Sequence, residues 1–203
     1  MILRANCKIN IGLDVLRRRA DGFHDLSTVM APVRGLYDII EVTPSDNMSL
    51  EQRGFIVDCP VEKNLCIKAA RLMQQRYSIG NVTITLDKRV PFGAGLGGGS
   101  ADAAAVLIAL NEMYNIGFSD EKLCEIALKL GADVPFFIRG GTQRAEGIGE
   151  ILTPLKPLKK GYFLLIKNGD KPSTGEMYKR LDEENPPHPD ILSVKKAIEE
   201  NNK

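Results

Sequence analysis

A chain of 203 residues, 43% hydrophobic and 26% charged, is long enough to bury a sizeable core as one domain or two small ones. Its formal net charge of +1 gives no bulk attraction for nucleic acid or a membrane surface, which leaves a small-molecule or protein partner. No apolar run approaches the roughly eighteen residues of a membrane span. The start, MILRANCKIN, lacks the apolar core and cleavage site of a secretion signal, so the sequence reads as cytoplasmic.

In chain order, the alternation and β-formers of ANCKINIGLDVL predict a strand over 5–16, with a turn at Asp21-Gly22. LYDIIEVTP reads as a second strand, closed by Pro44. Leu65, Ala69, Leu72 and Met73 recur at helical spacing and predict an amphipathic helix over 64–77. Val82, Ile84 and Leu86 alternate and predict a strand over 81–90. A glycine loop follows, then a helix over about 100–114 entered through Ser100. A helix over 119–131 has Ser119 as N-cap and Gly131 as C-cap. Residues 152–160 and 184–189 are proline-rich connections, GYFLLIKNG (161–169) reads as a strand, and SVKKAIEENNK begins a polar-faced helix. Strands and helices without regular βαβ alternation predict an α+β fold.

Cys7, Cys59, Cys66 and Cys124 form no C-x-x-C pair, and neither His24 nor His188 completes a zinc pattern. Reduced, partly buried thiols are expected.

The informative stretch is PFGAGLGGGSADAAAVL, with five glycines between positions 93 and 99 and a helix directly behind. Without side chains, backbone N–H groups turn inward toward anionic oxygens, and the helix N-terminus adds partial positive charge. A tight turn with close packing is the plain rival. A Walker loop needs Gly-Lys-Ser/Thr where this chain has Gly99-Ser100-Ala101. A dinucleotide fingerprint drawn through Gly93, Gly95 and Gly98 wants a second strand ending in an acid, whereas Glu112 lies inside a predicted helix.

PFGAGLGGGSADAA resembles the phosphate loop of the GHMP kinase superfamily. KINIGLDVLRRRADGFHDL, EKNLCIKAARLM and LGADVPFFIRGGTQRAEGIGE resemble other segments of the same superfamily, in the same order, over most of residues 5–150. The triple glycine is most similar to the branch that phosphorylates the 2-hydroxyl of 4-diphosphocytidyl-2-C-methyl-D-erythritol in non-mevalonate isoprenoid biosynthesis. The resemblance implies a GHMP kinase fold: an N-terminal two-layer domain of the ribosomal S5 domain 2 type over 1–154, and an incomplete ferredoxin-like C-terminal domain over 155–203. Members continue well beyond this length with a second glycine-rich segment, which does not occur here.

The resemblance also implies roles. Asp133 is the carboxylate at the acceptor hydroxyl, as base or orienting group; on sequence alone it reads as an N-cap ahead of Pro135. Lys8 stabilises developing charge, and alternation puts it on one strand face with Asn10, a candidate to position the acceptor. Pro91, Gly93, Ala94, Gly95, Leu96, Gly97, Gly98, Gly99, Ser100 and Ala101 hold the ATP phosphates, with Ser100 also a Mg²⁺ contact. Asn64, Leu65 and Lys88 correspond to the adenine pocket, and Asp102 reads as a favourable charge in the first turn. Phe23 stacks on cytosine, His24 bonds its edge, Tyr178 closes the stack against Phe23, and Thr174 lies beside it.

The expected activity is therefore ATP- and Mg²⁺-dependent phosphorylation of a cytidine diphosphate-linked methylerythritol, by a monomer or homodimer with no nucleic-acid or membrane partner. A mevalonate- or homoserine-type kinase and a catalytically incomplete nucleotide-binding fragment are the alternatives.

Overall fold

The alternation of residues 82–88 becomes the organising strand of the fold, with every second side chain buried. The computed structural model describes residues 1–158, 161–167, 172–184 and 186–200. Its strands are β1 (Ile2–Arg18), β2 (His24–Pro44), β3 (Ser49–Gly54), β4 (Val82–Lys88), β5 (Gln143–Glu146) and β6 (Ile151–Pro154). Its α-helices are α1 (Leu65–Arg76), α2 (Gly98–Met113), α3 (Asp120–Ala127), α4 (Val134–Arg139), α5 (Thr174–Glu184) and α6 (Ile191–Glu199). The chain divides into two compact units, and β1 and β2, which pair with each other, contribute residues to both.

The first unit comprises residues 1–8, 33–92 and 96–140. Here β4 runs antiparallel to β2, with Ile40 opposite Leu86 and Val42 opposite Ile84. On its other side β4 runs parallel to β3. The apolar face of this sheet shares one core with Ile67, Ala70 and Met73 of α1 and with Ala104, Leu107 and Leu110 of α2. Residues 101–107 of α2 are all buried, so this helix is enclosed rather than amphipathic, and its alanines permit that close packing.

Asn64 caps α1, its side chain accepting from the Cys66 amide at 2.9 Å. Ser119 caps α3 as expected, accepting from the Lys122 amide. That helix ends at Ala127 rather than near Gly131: the Lys129 and Leu130 amides reach back only three residues, tightening the chain into a turn.

The second unit comprises residues 9–32, 93–95 and 141 onward. The start of β2 pairs antiparallel with β5, Thr28 opposite Ala145, and β5 forms a hairpin with β6. Strand β6 lies where a proline-rich connection was expected; its ladder to β5 supplies the backbone partners that composition does not reveal. A reciprocal capping box opens α5, Ser173 Oγ accepting from the Glu176 amide and Glu176 accepting from the Ser173 amide. Asp190 caps α6.

The strand expected over 161–169 is not formed over 161–167, whose residues are exposed; residues 168 and 169 lie outside the described residues. A short apolar run supplies strand-forming residues but no neighbouring ladder, and 161–167 pairs with no strand among the described residues. The polar-faced helix is α6, with residues 201–203 of the expected stretch outside the described residues. No helix among the described residues is long and apolar enough to cross a membrane.

Candidate active site

The loop ahead of α2 is turned by glycines in the left-handed region: Gly93, Gly95 and Gly97 have φ of +68°, +76° and +69°. α2 begins at Gly98, not near Ser100, and its cap is Gly97, which makes no side-chain bond. Gly97 reaches the cap conformation without a Cβ penalty, so no hydroxyl is needed there, and Ser100 sits third in the helix. The first α-helical bond runs from the Ala101 amide to the Gly97 carbonyl at 2.9 Å. The amides of Gly98, Gly99 and Ser100 therefore have no acceptor within the helix and point out of its N-terminus, as anion binding requires.

Lys8 lies beside this turn. Its amide donates to the Leu96 carbonyl at 2.9 Å, tying β1 to the loop. A Cβ on Gly97 would stand 3.1 Å from Lys8 Cγ and 2.8 Å from Phe137 Cζ, so the lysine stem and the phenyl ring occupy the space a side chain would need. The ammonium ends 3.7 Å from Asp133 Oδ2. Lys8 is buried and Asp133 is partly open, so the carboxylate is the accessible member of the pair. Asp133 takes the N-cap position of α4 but makes no side-chain cap bond. The capping use suggested by Pro135 is thus set aside, and the carboxylate faces Lys8 instead.

Of the three residues expected around adenine, Asn64 and Leu65 open α1, and Leu65 Cδ1 lies 3.6 Å from a Cβ position on Gly99. Lys88 has a different place from the one expected. Its side chain is 2% exposed, and its ammonium donates to Asp38 Oδ2 at 2.5 Å and to Asp102 Oδ2 at 2.7 Å. Its carbonyl accepts from the Phe55 amide. Buried and paired with two carboxylates, this ammonium serves as a strut within the fold. Asp102 is likewise no exposed helix-dipole charge: it is buried, and burial pushes its carboxyl up to about 7 against the pull of Lys88. Burial also opposes the charge of Lys88, but the Asp102 and Asp38 carboxylates outweigh it and hold the ammonium above its usual value.

The second unit gathers the residues expected around a base. His24 is buried and stacks on Tyr178, centroids 4.5 Å apart and planes 7° from parallel. His24 Nε2 is 2.8 Å from Asp182 Oδ1, and Arg18 approaches the same carboxylate at 3.7 Å. The expected partnership of Tyr178 with Phe23 is not the one observed: Tyr178 covers His24, while Phe23 stands 56% exposed. His24 is the first residue of β2 and Phe23 lies just outside the strand, and it is His24 that meets α5. Asp182 escaped the sequence reading, although its i,i+4 spacing from Tyr178 places both on one helix face. A cavity of about 300 Å³ is lined by Leu16, Arg18, His24, Asp182, Pro187 and His188. Asn10 Nδ2 donates to Thr28 Oγ1 at 2.9 Å, a bond within the strands, and Thr174 is the exposed first residue of α5.

Residues 64–141 match the family model for the GHMP kinases N terminal domain, a stretch that contains the glycine loop, α2 and Asp133. A 4-diphosphocytidyl-2-C-methyl-D-erythritol kinase from Clostridium novyi (strain NT) is 44% identical over 206 residues, covering 99% of this chain and 72% of the relative. The chain belongs to the 4-diphosphocytidyl-2-C-methyl-D-erythritol kinase family.

A second member of that kinase family, from Carboxydothermus hydrogenoformans, is 42% identical and is matched over 70% of its length. The crystal structure of a 4-(cytidine 5'-diphospho)-2C-methyl-D-erythritol kinase superposes with a TM-score of 0.74 at 36% identity, over 98% of this chain and 71% of that one. Mevalonate kinase from Methanococcus jannaschii shares the fold at 13% identity and a TM-score of 0.57. The α+β architecture is thus that of the GHMP kinases, and the chain is an ATP-dependent kinase.

Proposed function

We propose that this kinase transfers the γ-phosphoryl group of ATP to the 2-hydroxyl of 4-diphosphocytidyl-2-C-methyl-D-erythritol. One observation supports the assignment of residues above others: Lys8, whose ammonium is paired with Asp133, has its stem packed directly against Gly97, the cap of the helix that would hold the phosphates. The amides of Gly98, Gly99 and Ser100, with the rest of the loop from Pro91 to Ala101, hold the triphosphate. Asn64 and Leu65 border the nucleotide. The acceptor oxygen attacks the γ-phosphorus, the bond to the bridging β-oxygen breaks, and ADP leaves. Asp133 receives or orients the hydroxyl proton, and Lys8 stabilises the negative charge that develops.

The donor set near the loop fits Mg²⁺ only as a passenger of the nucleotide. Ser100 offers one hard oxygen, Asp102 is already bound to Lys88, and the described residues contain no cluster of three acidic, His or Cys side chains. The ion, when bound, neutralises phosphate charge. Phe23 supplies an open ring face for the cytosine, and His24 and Tyr178 form the ordered wall of its site. The chain after residue 155 begins the second domain of the family fold. The test is ADP release with the cytidyl substrate and with mevalonate in parallel; turnover confined to mevalonate would overturn the substrate assignment.

A further inference from the structure

The catalytic pair proposed above depends on where a flexible side chain ends. A lysine ammonium rides on a long stem with several rotatable bonds, and its charge alone does not choose among their rotamers. The backbone of Lys8 is fixed, because its amide donates to the Leu96 carbonyl. Its stem is confined by a second group, Phe137. A Cβ on Gly97 would lie 2.8 Å from Phe137 Cζ, 3.1 Å from Phe137 Cε2 and 3.1 Å from Lys8 Cγ. Ring and stem therefore converge on one point at the cap of α2.

The ring is itself held. Its neighbour in α4, Phe136, is 1% exposed and meets it edge-on, centroids 5.1 Å apart and planes 80° from parallel. α4 packs against α2 and α3, and Phe137 lies against the core they share. Asp133, at the N-cap of α4, precedes Phe137 by four residues, so carboxylate and ring stand on one helix face. The same short helix thus presents a carboxylate to the ammonium and a phenyl ring to the stem that carries it. Without the ring a void opens beside the stem, and a flexible side chain relaxes into it.

Resting on the reading that Lys8 acts at the transferred phosphoryl group, we propose that Phe137 is a positioning residue for that transfer. Its ring holds the Lys8 stem against Gly97 and so keeps the ammonium at Asp133. Phe137 touches no reactant and acts through Lys8. A misplacement of about 1 Å costs up to roughly 10²-fold in rate, so Phe137→Ala is expected to lower kcat roughly tenfold. The phosphates are gripped by backbone amides, so KM for ATP and for the cytidyl substrate should stay within about twofold of the parent.

The test is a double-mutant cycle on Lys8→Met, which keeps the stem and removes the ammonium. ADP release with the cytidyl substrate gives kcat, and thermal melting gives stability, for the parent, each single variant and the pair. Phe137→Ala should lower the melting temperature similarly in both backgrounds, since the ring meets a stem in each. Its roughly tenfold loss of kcat should vanish where no ammonium remains to be placed. The same fold-loss of kcat in both backgrounds, or parental kcat in Phe137→Ala alone, overturns the proposal. Parental kcat in Lys8→Met shows instead that the reading of Lys8 fails, and the role of Phe137 falls with it. Absence of turnover by the parent defeats both. Should Phe137→Ala not fold, Phe137→Leu keeps most of the apolar volume without the flat ring, and the same outcomes decide.

Discussion

Lys8 Nζ stands 3.7 Å from Asp133 Oδ2, and the lysine's own stem closes the space beside Gly97. The proposed catalytic pair and the proposed phosphate grip therefore share neighbouring atoms. Asp133→Asn keeps the shape and removes the base, so kcat is expected to drop roughly 10²–10⁴-fold while ADP affinity stays near normal. Lys8→Ala removes the cation and should cost roughly 10²–10³-fold. Near-parental turnover by Asp133→Asn in an ADP-release assay would show that the carboxylate plays no part.

Gly97→Ala tests the packing that places Lys8. The new methyl would have to sit 2.8 Å from Phe137 Cζ at a φ of +69°. The left-handed strain alone is worth roughly 1 kcal/mol. Moving Lys8 should lower kcat beyond what the loss of stability explains. A melting temperature reduced by a few degrees with unchanged kcat would separate backbone strain from catalysis.

Phe23 and Tyr178 should behave differently although both are assigned to the base. Phe23 is 56% exposed, so Phe23→Ala should leave the melting temperature unaltered and raise KM for the cytidyl substrate roughly tenfold. Tyr178→Ala also strips the stack from His24 and should lower stability as well as affinity. Equal KM values for Phe23→Ala and the parent remove Phe23 from the site.

Asp102 gives stability a recognisable pH dependence. Its folded value of about 7 lies above its ordinary 3.8, so the folded state binds the proton more tightly. Its contribution is complete below about pH 4 and is lost as pH rises through 7. Denaturant melts at pH 5 and pH 8 should show a larger loss of stability for the parent than for Asp102→Asn. Parallel losses in the two proteins contradict the buried titration.

The thiols should divide by depth. Burial raises Cys7 and Cys66, which are 0% and 1% exposed, whereas Cys59 is partly exposed. A thiol reagent at pH 8 should label Cys59 in the native protein and reach Cys7 and Cys66 only after unfolding. Rapid native labelling of Cys66 would mean that α1 opens readily.

Much of the fold was legible because local patterns and tertiary demands agree. The alternation of Val82, Ile84 and Leu86 is the burial pattern of β4, and the spacing from Leu65 to Met73 is the buried face of α1. The glycines ahead of α2, Lys8 and Asp133 could be singled out because a motif is a local arrangement that a chain order preserves, and the structure sets Lys8 beside both Gly97 and Asp133. What only the tertiary structure decided depends on partners distant in sequence. Asp38 and Lys88 lie 50 residues apart, and no pattern in either neighbourhood announces their bond. That bond changes Lys88 from a ligand contact into a strut and Asp102 from a surface charge into a buried acid. Likewise Tyr178 meets His24, the first residue of β2, rather than Phe23 just outside it, a contact between residues distant in sequence, and 161–167 has the apolar run of a strand without a ladder among the described residues. Residue type determined which chemistry the chain can carry; burial and long-range pairing decided which groups remain free to use it.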